Sequence, residues 1–347
     1  MPIVPNALER LYVLRLNRSP GATLDMFASG AFDALGVAIE IGAIDALYEE
    51  PATVSVLAER LDADADGLAR LLALLDSADY VTADGEEYRL TSLSRRWVAS
   101  ESTDSLGPFF RFWREVVLPF CHEHATTAVL EGAPPETMYE WLDDNPEKWP
   151  LAQRAFEAAT RSVSDDFVAA VDPQPDERVL DLGGGHARFS IECCLAAPGV
   201  TATVVDDPAA FDAAVENVER AGLGDRVSLV GGDYFEDDLG DGYDVALACN
   251  ILHAHNERAC REFLDRVHDA LAPGGRVAVL DQFDSGGPLP LARTATRVVD
   301  YVYLATLGGR VHDEEAVRSW LSDSGFESVD AHEFRTAGST LLLAEKA

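Results

Sequence analysis

The chain has 347 residues, of which 61 are acidic and 27 basic, so its formal net charge at pH 7 is −34. The length favours two domains over one. The five cysteines include no C-x-x-C pair, and the sequence has neither a charged leader with an apolar stretch nor an unbroken apolar run of about 18 residues. We therefore predict a soluble, reduced cytoplasmic protein, without a disulfide framework or a membrane partner.

The acidic residues are spread along the whole chain, and only Lys148 and Lys346 are lysines. A large net charge adds repulsion to the compact state, and this repulsion is screened when the Debye length falls to about 3 Å at roughly molar salt. We therefore expect the protein to come from a salt-accumulating halophile.

Residues 1–105 are predicted to form three helical segments followed by a hairpin, which is a winged-helix pattern. The helical segments run from about Thr23 to Tyr48, over Val54–Leu61 and over Asp64–Asp79. The last segment would be the DNA-recognition helix, but its one basic residue is Arg70, whereas duplex binding requires several lysines and arginines. We therefore predict a dimerisation domain and no nucleic acid partner.

Residues 106–170 are predicted to be helical, with prolines that interrupt the helices. Most of the aromatic side chains in this connector are expected to pack between domains, and a minority to line a pocket for a flat acceptor. The aromatic residues considered are Phe109, Phe110, Phe112, Trp113, Phe120, Trp141, Trp149 and Phe156.

Residues 171–347 alternate apolar runs with segments of helix length, which predicts an α/β domain with a parallel sheet. The runs are RVLDL, TATVV, YDVALACN and GRVAVLD, and the last two, GFESVDAHEF and STLLLAEKA, could close the sheet as an antiparallel hairpin. In such sheets the ligand groups lie at the carboxyl ends of the strands.

The glycine turn GGGHA follows the first run, and Gly183 and Gly185 would let the backbone approach a ligand closely. About 20 residues later, Asp206 or Asp207 would accept both ribose hydroxyls of a nucleotide. Strand parity and the following Pro208 favour Asp206, and either carboxylate could instead cap the next helix.

Two further pairs of residues follow later strands. Asp233 and Tyr234 could hold an adenine, with the carboxylate accepting from the exocyclic amine and the ring stacking on the base. The alternative, which we favour less, is that Asp233 is only a turn residue. His253 could take a proton near neutral pH, and Asp281 could orient its imidazole.

The remaining histidines and cysteines are weaker candidates. His255 and His312 are interpreted as bystanders or pocket walls, no residue cluster has metal-ligand spacing, and no G-x-S-x-G elbow occurs. No metal is therefore expected.

These motifs in this order resemble the S-adenosylmethionine-dependent O-methyltransferases of the caffeate/hydroxyindole family. The resemblance covers nearly the whole chain and includes VLDLGGGHARFS, VVDDP, RVSLVGGDYF, NILH and LAPGGRVAVLDQF. It implies a class I methyltransferase Rossmann-like core, with a mostly parallel seven-stranded sheet, behind an N-terminal α-helical winged-helix dimerisation domain. It also implies a homodimer that transfers a methyl group to a hydroxyl of a small aromatic or conjugated acceptor.

The resemblance assigns roles to residues of this chain. S-adenosylmethionine is the implied donor and S-adenosylhomocysteine the product. His253 is the implied base that removes the acceptor proton, with Asp281 as its acidic partner. The implied cofactor-binding residues are Asp181, Gly183 and Gly185 at the turn, Asp206 at the ribose, and Asp233 with Tyr234 at the adenine.

Three departures from the family pattern leave alternatives open. Ala254-His255 stand where the family has Asp-Trp, Val311 replaces a second orienting acid, and Ala187 replaces a turn glycine. One alternative is a cofactor-binding member with other chemistry, such as N- or C-methylation or no methyl transfer. The other is a non-enzymatic regulator that senses the cofactor through its winged helix.

Overall fold

The structure is a computed structural model that describes residue 8 and residues 11–16, 20–286, 290–334 and 338–347. The chain divides between Glu115 and Val116 into two compact units. The described elements of the first unit are a π-helical turn Leu11–Arg15, helices α1 (Ala22–Glu40), α2 (Ala43–Glu49), α3 (Val54–Leu61), α4 (Ala65–Ser77), α5 (Ser92–Trp97) and α6 (Gly107–Phe112), and strands β1 (Ala52–Thr53), β2 (Val81–Asp84) and β3 (Glu87–Leu90).

The second unit is larger and contains the main sheet. A π-helical turn, Trp113–Val117, lies at the division. The described helices are α7 (Leu118–Glu131), α8 (Met138–Asp144), α9 (Trp149–Arg161), α10 (Ser164–Val171), α11 (Arg188–Ala196), α12 (Phe211–Ala221), α13 (Glu257–Ala270), α14 (Pro290–Leu307) and α15 (Glu314–Asp323), with 3-10 turns at Pro146–Lys148, Pro208–Ala210 and Leu252–Ala254. The described strands are β4 (Arg178–Leu182), β5 (Thr201–Asp206), β6 (Val227–Gly231), β7 (Tyr243–Cys249), β8 (Leu271–Asp281), β9 (Phe283–Asp284), β10 (His312–Asp313), β11 (Phe326–Phe334) and β12 (Ser339–Lys346).

The prediction of one helix from Thr23 to Tyr48 is wrong, because the segment is broken at Ile41-Gly42 into α1 and α2. Gly42 has φ 77°, a left-handed conformation that glycine adopts without a Cβ clash. The apolar residues continue on both sides of the break, so the pattern of apolar residues alone did not reveal it.

Helix α1 has a buried face and an exposed apolar face. Ala31, Leu35 and Ala38 are buried in the first unit, whereas Met26 is 60% and Phe27 52% exposed. By length and composition alone, α1 is the one described helix that could cross a membrane. A core helix of a soluble protein passes the same test.

The other predicted elements of the first unit form close to their expected positions. Helix α3 spans Val54–Leu61 as predicted, and Asp64 caps α4 by accepting from the Gly67 amide at 2.8 Å. Strands β2 and β3 form the expected antiparallel hairpin, and β1 adds a third strand to it. Arg70 on α4 pairs with Asp66 at 2.8 Å, so this cation is already partly neutralised. The winged-helix assignment stays a prediction.

The main sheet has seven strands in the order β11-β12-β8-β7-β4-β5-β6. The five strands from β8 to β6 run parallel, β12 pairs antiparallel to β8, and β11 pairs antiparallel to β12 at the edge of the sheet. This arrangement agrees with the predicted mostly parallel seven-stranded sheet and with the antiparallel hairpin that closes it.

Helices cover both faces of this sheet, which explains why its strands are apolar without alternation. On β4, Val179 packs into a cluster with Phe167 of α10, and its neighbour Leu180 packs into a different cluster with Phe263 of α13. Successive residues of a strand point to opposite faces, so a strand with both faces covered needs apolar residues at every position. The polar residues are therefore concentrated at the strand ends.

Candidate active site

The candidate site lies along the carboxyl edge of the parallel strands. The strands β8, β7, β4 and β5 are neighbours in that order. Their carboxyl ends therefore carry, one after another, Asp281, His253, the glycine turn and Asp206. A continuous row of polar groups thus forms from residues far apart in the sequence.

Two features of the turn favour glycine: a left-handed backbone at Gly183 and Gly185, and close packing at Gly184. Gly183 and Gly185 have φ of 63° and 47°, and a Cβ at Gly184 would lie 2.6 Å from the Asp181 carboxylate. A Cβ at Gly185 would meet only the Asp206 carboxylate, at 3.8 Å, and would otherwise enter open space. A side chain at Gly185 would therefore fill the space in front of Asp206.

Asp181 supports the turn from inside the core. It is 1% exposed, and its Oδ2 accepts from Ser190 Oγ at 2.7 Å, while its Oδ1 has no hydrogen-bond partner among the described residues. The pKa of Asp181 is raised to about 7, chiefly by burial and in part by the nearby Asp206 carboxylate, against the opposing hydrogen bond from Ser190. The predicted contact of Asp181 with a cofactor stays a prediction.

The two adjacent carboxylates after β5 have different partners. Asp206 accepts from the Gly185 amide through Oδ2 and from the Asp207 amide through Oδ1, each at 2.7 Å. Asp207 is exposed and caps the following 3-10 turn by accepting from the Ala209 amide at 2.8 Å. Only Asp206 therefore faces the glycine turn, and burial raises its pKa.

The residue that replaces the last turn glycine keeps the glycine-like conformation. Ala187 is fully buried and has φ 59°, in the left-handed region, where it begins α11. This conformation costs a non-glycine residue about 1–2 kcal/mol. The turn therefore keeps its shape despite the substitution.

Asp233 and Tyr234 follow β6 and are both held by hydrogen bonds. The exposed Asp233 accepts from the Phe235 amide through Oδ1 at 2.8 Å, which is the turn role considered from the sequence. The Tyr234 hydroxyl lies 3.1 Å from Nε2 of His255, and its ring lies 3.8 Å from where a Cβ on Gly183 would be. Burial raises the pKa of Tyr234, so its hydroxyl stays protonated.

His253 and Asp281 form a buried pair with several hydrogen bonds. His253 Nδ1 lies 2.9 Å from Asp281 Oδ1, and the His253 amide donates to Oδ2 at 3.0 Å. The Gln282 amide donates to Oδ1 at 2.8 Å, so three donors hold the carboxylate. Because a carboxylate accepts, Nδ1 carries the proton, and Nε2 has a lone pair with no hydrogen-bond partner among the described residues.

Two tyrosines that the sequence did not single out interact with this pair, one through a ring stack and the other through the charge of Asp281. The Tyr303 ring, on α14, stacks on the His253 imidazole with ring centroids 4.1 Å apart and planes 7° from parallel. Tyr139, on α8, is 38% exposed and stacks on Trp149. The pKa of Tyr139 is raised to about 12. Loss of hydration is the largest cause, and the Asp206 and Asp281 carboxylates contribute less. Neither tyrosine belongs to a motif, so the sequence had no signal for them.

The weaker histidine candidates have structural partners. Nε2 of His312 lies 2.9 Å from the Leu252 carbonyl and 3.0 Å from the His255 carbonyl, and so donates to both. Val311, at the position of the family's second acid, is buried and donates its amide to Asp300 at 2.9 Å. In the described part of the chain, no group of three or more His, Cys, Asp or Glu residues could hold a metal ion.

Comparison with known proteins gives matches over most of the chain. Residues 121–327 match the family model of the O-methyltransferase domain, and residues 25–100 match that of the O-methyltransferase dimerisation domain. A 3-amino-4-hydroxybenzoate 4-O-methyltransferase of Streptomyces cremeus is 29% identical over 85% of this chain and 81% of its own length. The acetylserotonin O-methyltransferase of Gallus gallus is 27% identical over 84% of this chain and 87% of its own.

Solved structures have the same fold over the full length. Human N-acetylserotonin methyltransferase in complex with S-adenosylmethionine superposes with a TM-score of 0.80 at 23% identity, and covers 100% of both chains. A Nostoc punctiforme protein that was assigned to the O-methyltransferases gives a TM-score of 0.81 at 24% identity, and the match covers 99% of this chain and 100% of that protein.

Proposed function

Because the chain belongs to the O-methyltransferase family, we propose that Asp206 and the glycine turn hold its S-adenosylmethionine and that His253 removes the proton of the acceptor hydroxyl. The predicted family, fold class, cofactor and O-methyltransferase activity are confirmed by the family models and the relatives. Neither alternative, a family member with other chemistry or a cofactor-sensing regulator, is favoured by these findings.

The residues along the sheet edge fit an adenosyl cofactor. Asp206 presents a carboxylate beside Gly185, where the absence of a side chain leaves room for a ribose. Each carboxylate oxygen already accepts one backbone amide and has a second lone pair for a ribose hydroxyl. The turn at Asp233 uses Oδ1 as its acceptor and not Oδ2. Oδ2 could therefore accept from an adenine amine, which supports the proposed contact. When bound, S-adenosylmethionine supplies the electrophilic methyl group.

The observation that carries the proposed mechanism is the free Nε2 of His253 in the same row of strand ends as Asp206. Asp281 fixes the tautomer and stabilises the imidazolium that forms when Nε2 accepts a proton. A phenol has a pKa of about 10, so a histidine base is mismatched by roughly 3 to 4 units at neutral pH. Close alignment of acceptor and donor would compensate for this mismatch.

We propose an aromatic hydroxyl as the acceptor. The relatives include methyltransferases named for 3-amino-4-hydroxybenzoate and for 3-hydroxy-5-methyl-1-naphthoate, which are both aromatic hydroxy acids. The Tyr303 ring, whose one face stacks on His253, supports a pocket for a flat acceptor, and Tyr139 supports it through its electrostatic interaction with Asp206 and Asp281.

We also propose that the protein is a homodimer in a reducing cytoplasm. The match to a dimerisation domain and the exposed apolar side chains of Met26 and Phe27 support the dimer. The five cysteines are free and buried, which supports a reducing compartment. The pairing of Arg70 with Asp66 and the negative charge support the absence of a nucleic acid partner.

Calorimetric titration of S-adenosylhomocysteine tests the cofactor site without an acceptor. Loss of charged hydrogen bonds costs about 1.5–3 kcal/mol, so Asp206→Asn should weaken binding about 10- to 100-fold. Asp207→Asn is the matched control, because Asp207 only caps a turn, and it should change affinity less than about threefold. Equal losses in both variants would contradict the assignment of the ribose to Asp206.

A further inference from the structure

The stacking of Tyr303 on His253 is reinforced through the backbone. The Gly309 amide donates to the Tyr303 carbonyl at 3.1 Å, and the next amide, of Arg310, donates to the His253 carbonyl at 2.8 Å. A Cβ on Gly309 would lie 2.0 Å from the His253 carbonyl oxygen, so only glycine permits this approach. The same short loop therefore fixes the backbones of both stacked residues.

The hydrogen bond to Asp281 and the stack restrain different movements of the imidazole. Asp281 holds one edge of the ring through Nδ1, but a single bond at an edge still permits the ring plane to tilt. The parallel Tyr303 ring covers one face at 4.1 Å and opposes that tilt. The structure offers no acid at Val311 that could restrain the ring instead, because Val311 is an apolar residue bonded through its amide to Asp300.

Building on the proposed role of His253, we propose that Tyr303 is a positioning residue, whose ring holds the imidazole with Nδ1 on Asp281 and Nε2 facing the acceptor. The ring rather than the hydroxyl performs this role, because the hydroxyl has no hydrogen-bond partner among the described residues and the stack involves the ring face. Burial raises the pKa of Tyr303 well above its ordinary value, so the ring remains neutral at working pH.

The first test is nuclear magnetic resonance of the ¹⁵N-labelled histidines, which needs no acceptor. The His253 signals are assigned by their loss in His253→Gln. In the wild type, we expect the tautomer protonated at Nδ1 and ring protons shifted upfield by the Tyr303 ring current. Tyr303→Phe should keep both features, whereas Tyr303→Leu should lose the upfield shift and show a mixture of tautomers. Unshifted His253 ring protons in the wild type would overturn the proposal even if Tyr303→Leu failed to fold.

The second test compares turnover of the same variants with 3-amino-4-hydroxybenzoate or another acceptor that the wild type methylates. Because misplacement of a catalytic group by about 1 Å can cost up to about 100-fold, we expect Tyr303→Leu to lower kcat at least about tenfold. The KM for S-adenosylmethionine should stay within about twofold, and Tyr303→Phe should retain at least about half of the wild-type kcat, because the stacked ring is kept. Tyr301→Leu, on the same helix and 49% exposed, is the matched control and should leave kcat unchanged.

Two results of the turnover measurements would also overturn the proposal. Wild-type kcat in Tyr303→Leu would show that the stack is dispensable, and an equal loss in Tyr303→Phe and Tyr303→Leu would assign the effect to the hydroxyl. Failure of the proposed base is distinguishable, because His253→Gln would then retain turnover, whereas the wild type would still show the resonance signature of the stack.

Discussion

Among single residues, Asp181 and Asp206 show how burial separates two carboxylates that the sequence placed in one cofactor site. Asp206 is accessible beside Gly185, whereas Asp181 is 1% exposed and bonded to Ser190. The sequence motif could not separate them, because both residues lie within the last two positions of apolar strands. The preference for Asp206 over Asp207 came from strand parity, and the hydrogen bond from Gly185 supports it.

The buried carboxyl of Asp181 predicts a pH-dependent stability. Its folded pKa, about 7, lies above the unfolded value, so its contribution is fully present below about pH 4 and is lost as pH rises through about 7. Asp181→Asn lacks this titration. The wild type should therefore lose stability relative to this variant between about pH 4 and 7, by on the order of a few kcal/mol.

Urea unfolding at pH values across this range measures the difference. Asp269→Asn is a suitable control because the Asp269 side chain is 90% exposed. A stability difference between wild type and Asp181→Asn that does not change with pH would show that the carboxyl is ionised in the folded protein. This result would contradict the raised pKa of Asp181.

At the scale of elements, the strands were more predictable than the helices. Buried strands covered on both faces must be apolar throughout, so β4, β5, β7 and β8 stood out in the sequence. Helices mix buried and exposed positions, and a break such as Gly42 depends on one residue's φ. Tyr303 and Tyr139 lie on helices, and nothing in the sequence indicates that their side chains interact with the polar residues that follow the strands.

The exposed face of α1 predicts which element holds the dimer together. Charged residues in an apolar interface lose hydration without a partner, so the double variant Met26→Glu/Phe27→Glu should be monomeric. Light scattering at roughly molar KCl should then give the 37.5 kDa chain mass, against twice that mass for the wild type.

Leu195→Glu is the control for this experiment, because Leu195 is 56% exposed but lies in the second unit, outside the matched dimerisation domain. It should remain dimeric. A dimeric double variant would show that α1 is not the interface.

Across the whole molecule, the net charge of −34 sets the conditions under which the fold is stable. Repulsion between surface carboxylates is screened less at low salt, because the Debye length is about 10 Å at 0.1 M and about 3 Å at 1 M. We expect the urea midpoint to rise as KCl increases towards the molar range. Sucrose solutions of matched osmolality are the control, because sucrose is excluded from the protein surface but does not screen charge. A urea midpoint that does not change with KCl would contradict the halophile interpretation.

The sequence predicted the architecture and the row of strand-end residues, because both follow from apolar runs and the polar residues that end them. It did not predict the contacts between side chains. The pairing of His253 with Asp281 was expected, but the Tyr303 stack and the Gly309 approach depend on how α14 and its following loop pack. The predicted division into residues 1–105, 106–170 and 171–347 stays a prediction.

The role of His253 as the base for O-methyl transfer is tested most directly by kcat of His253→Gln with an aromatic hydroxy acid acceptor. General base catalysis contributes about 10²- to 10⁴-fold, so kcat should fall at least about 100-fold. Affinity for S-adenosylhomocysteine should not change, because His253 lies outside the proposed cofactor contacts. Turnover within a few-fold of the wild type would contradict a base role for His253. It would mean that alignment of acceptor and donor alone drives methyl transfer.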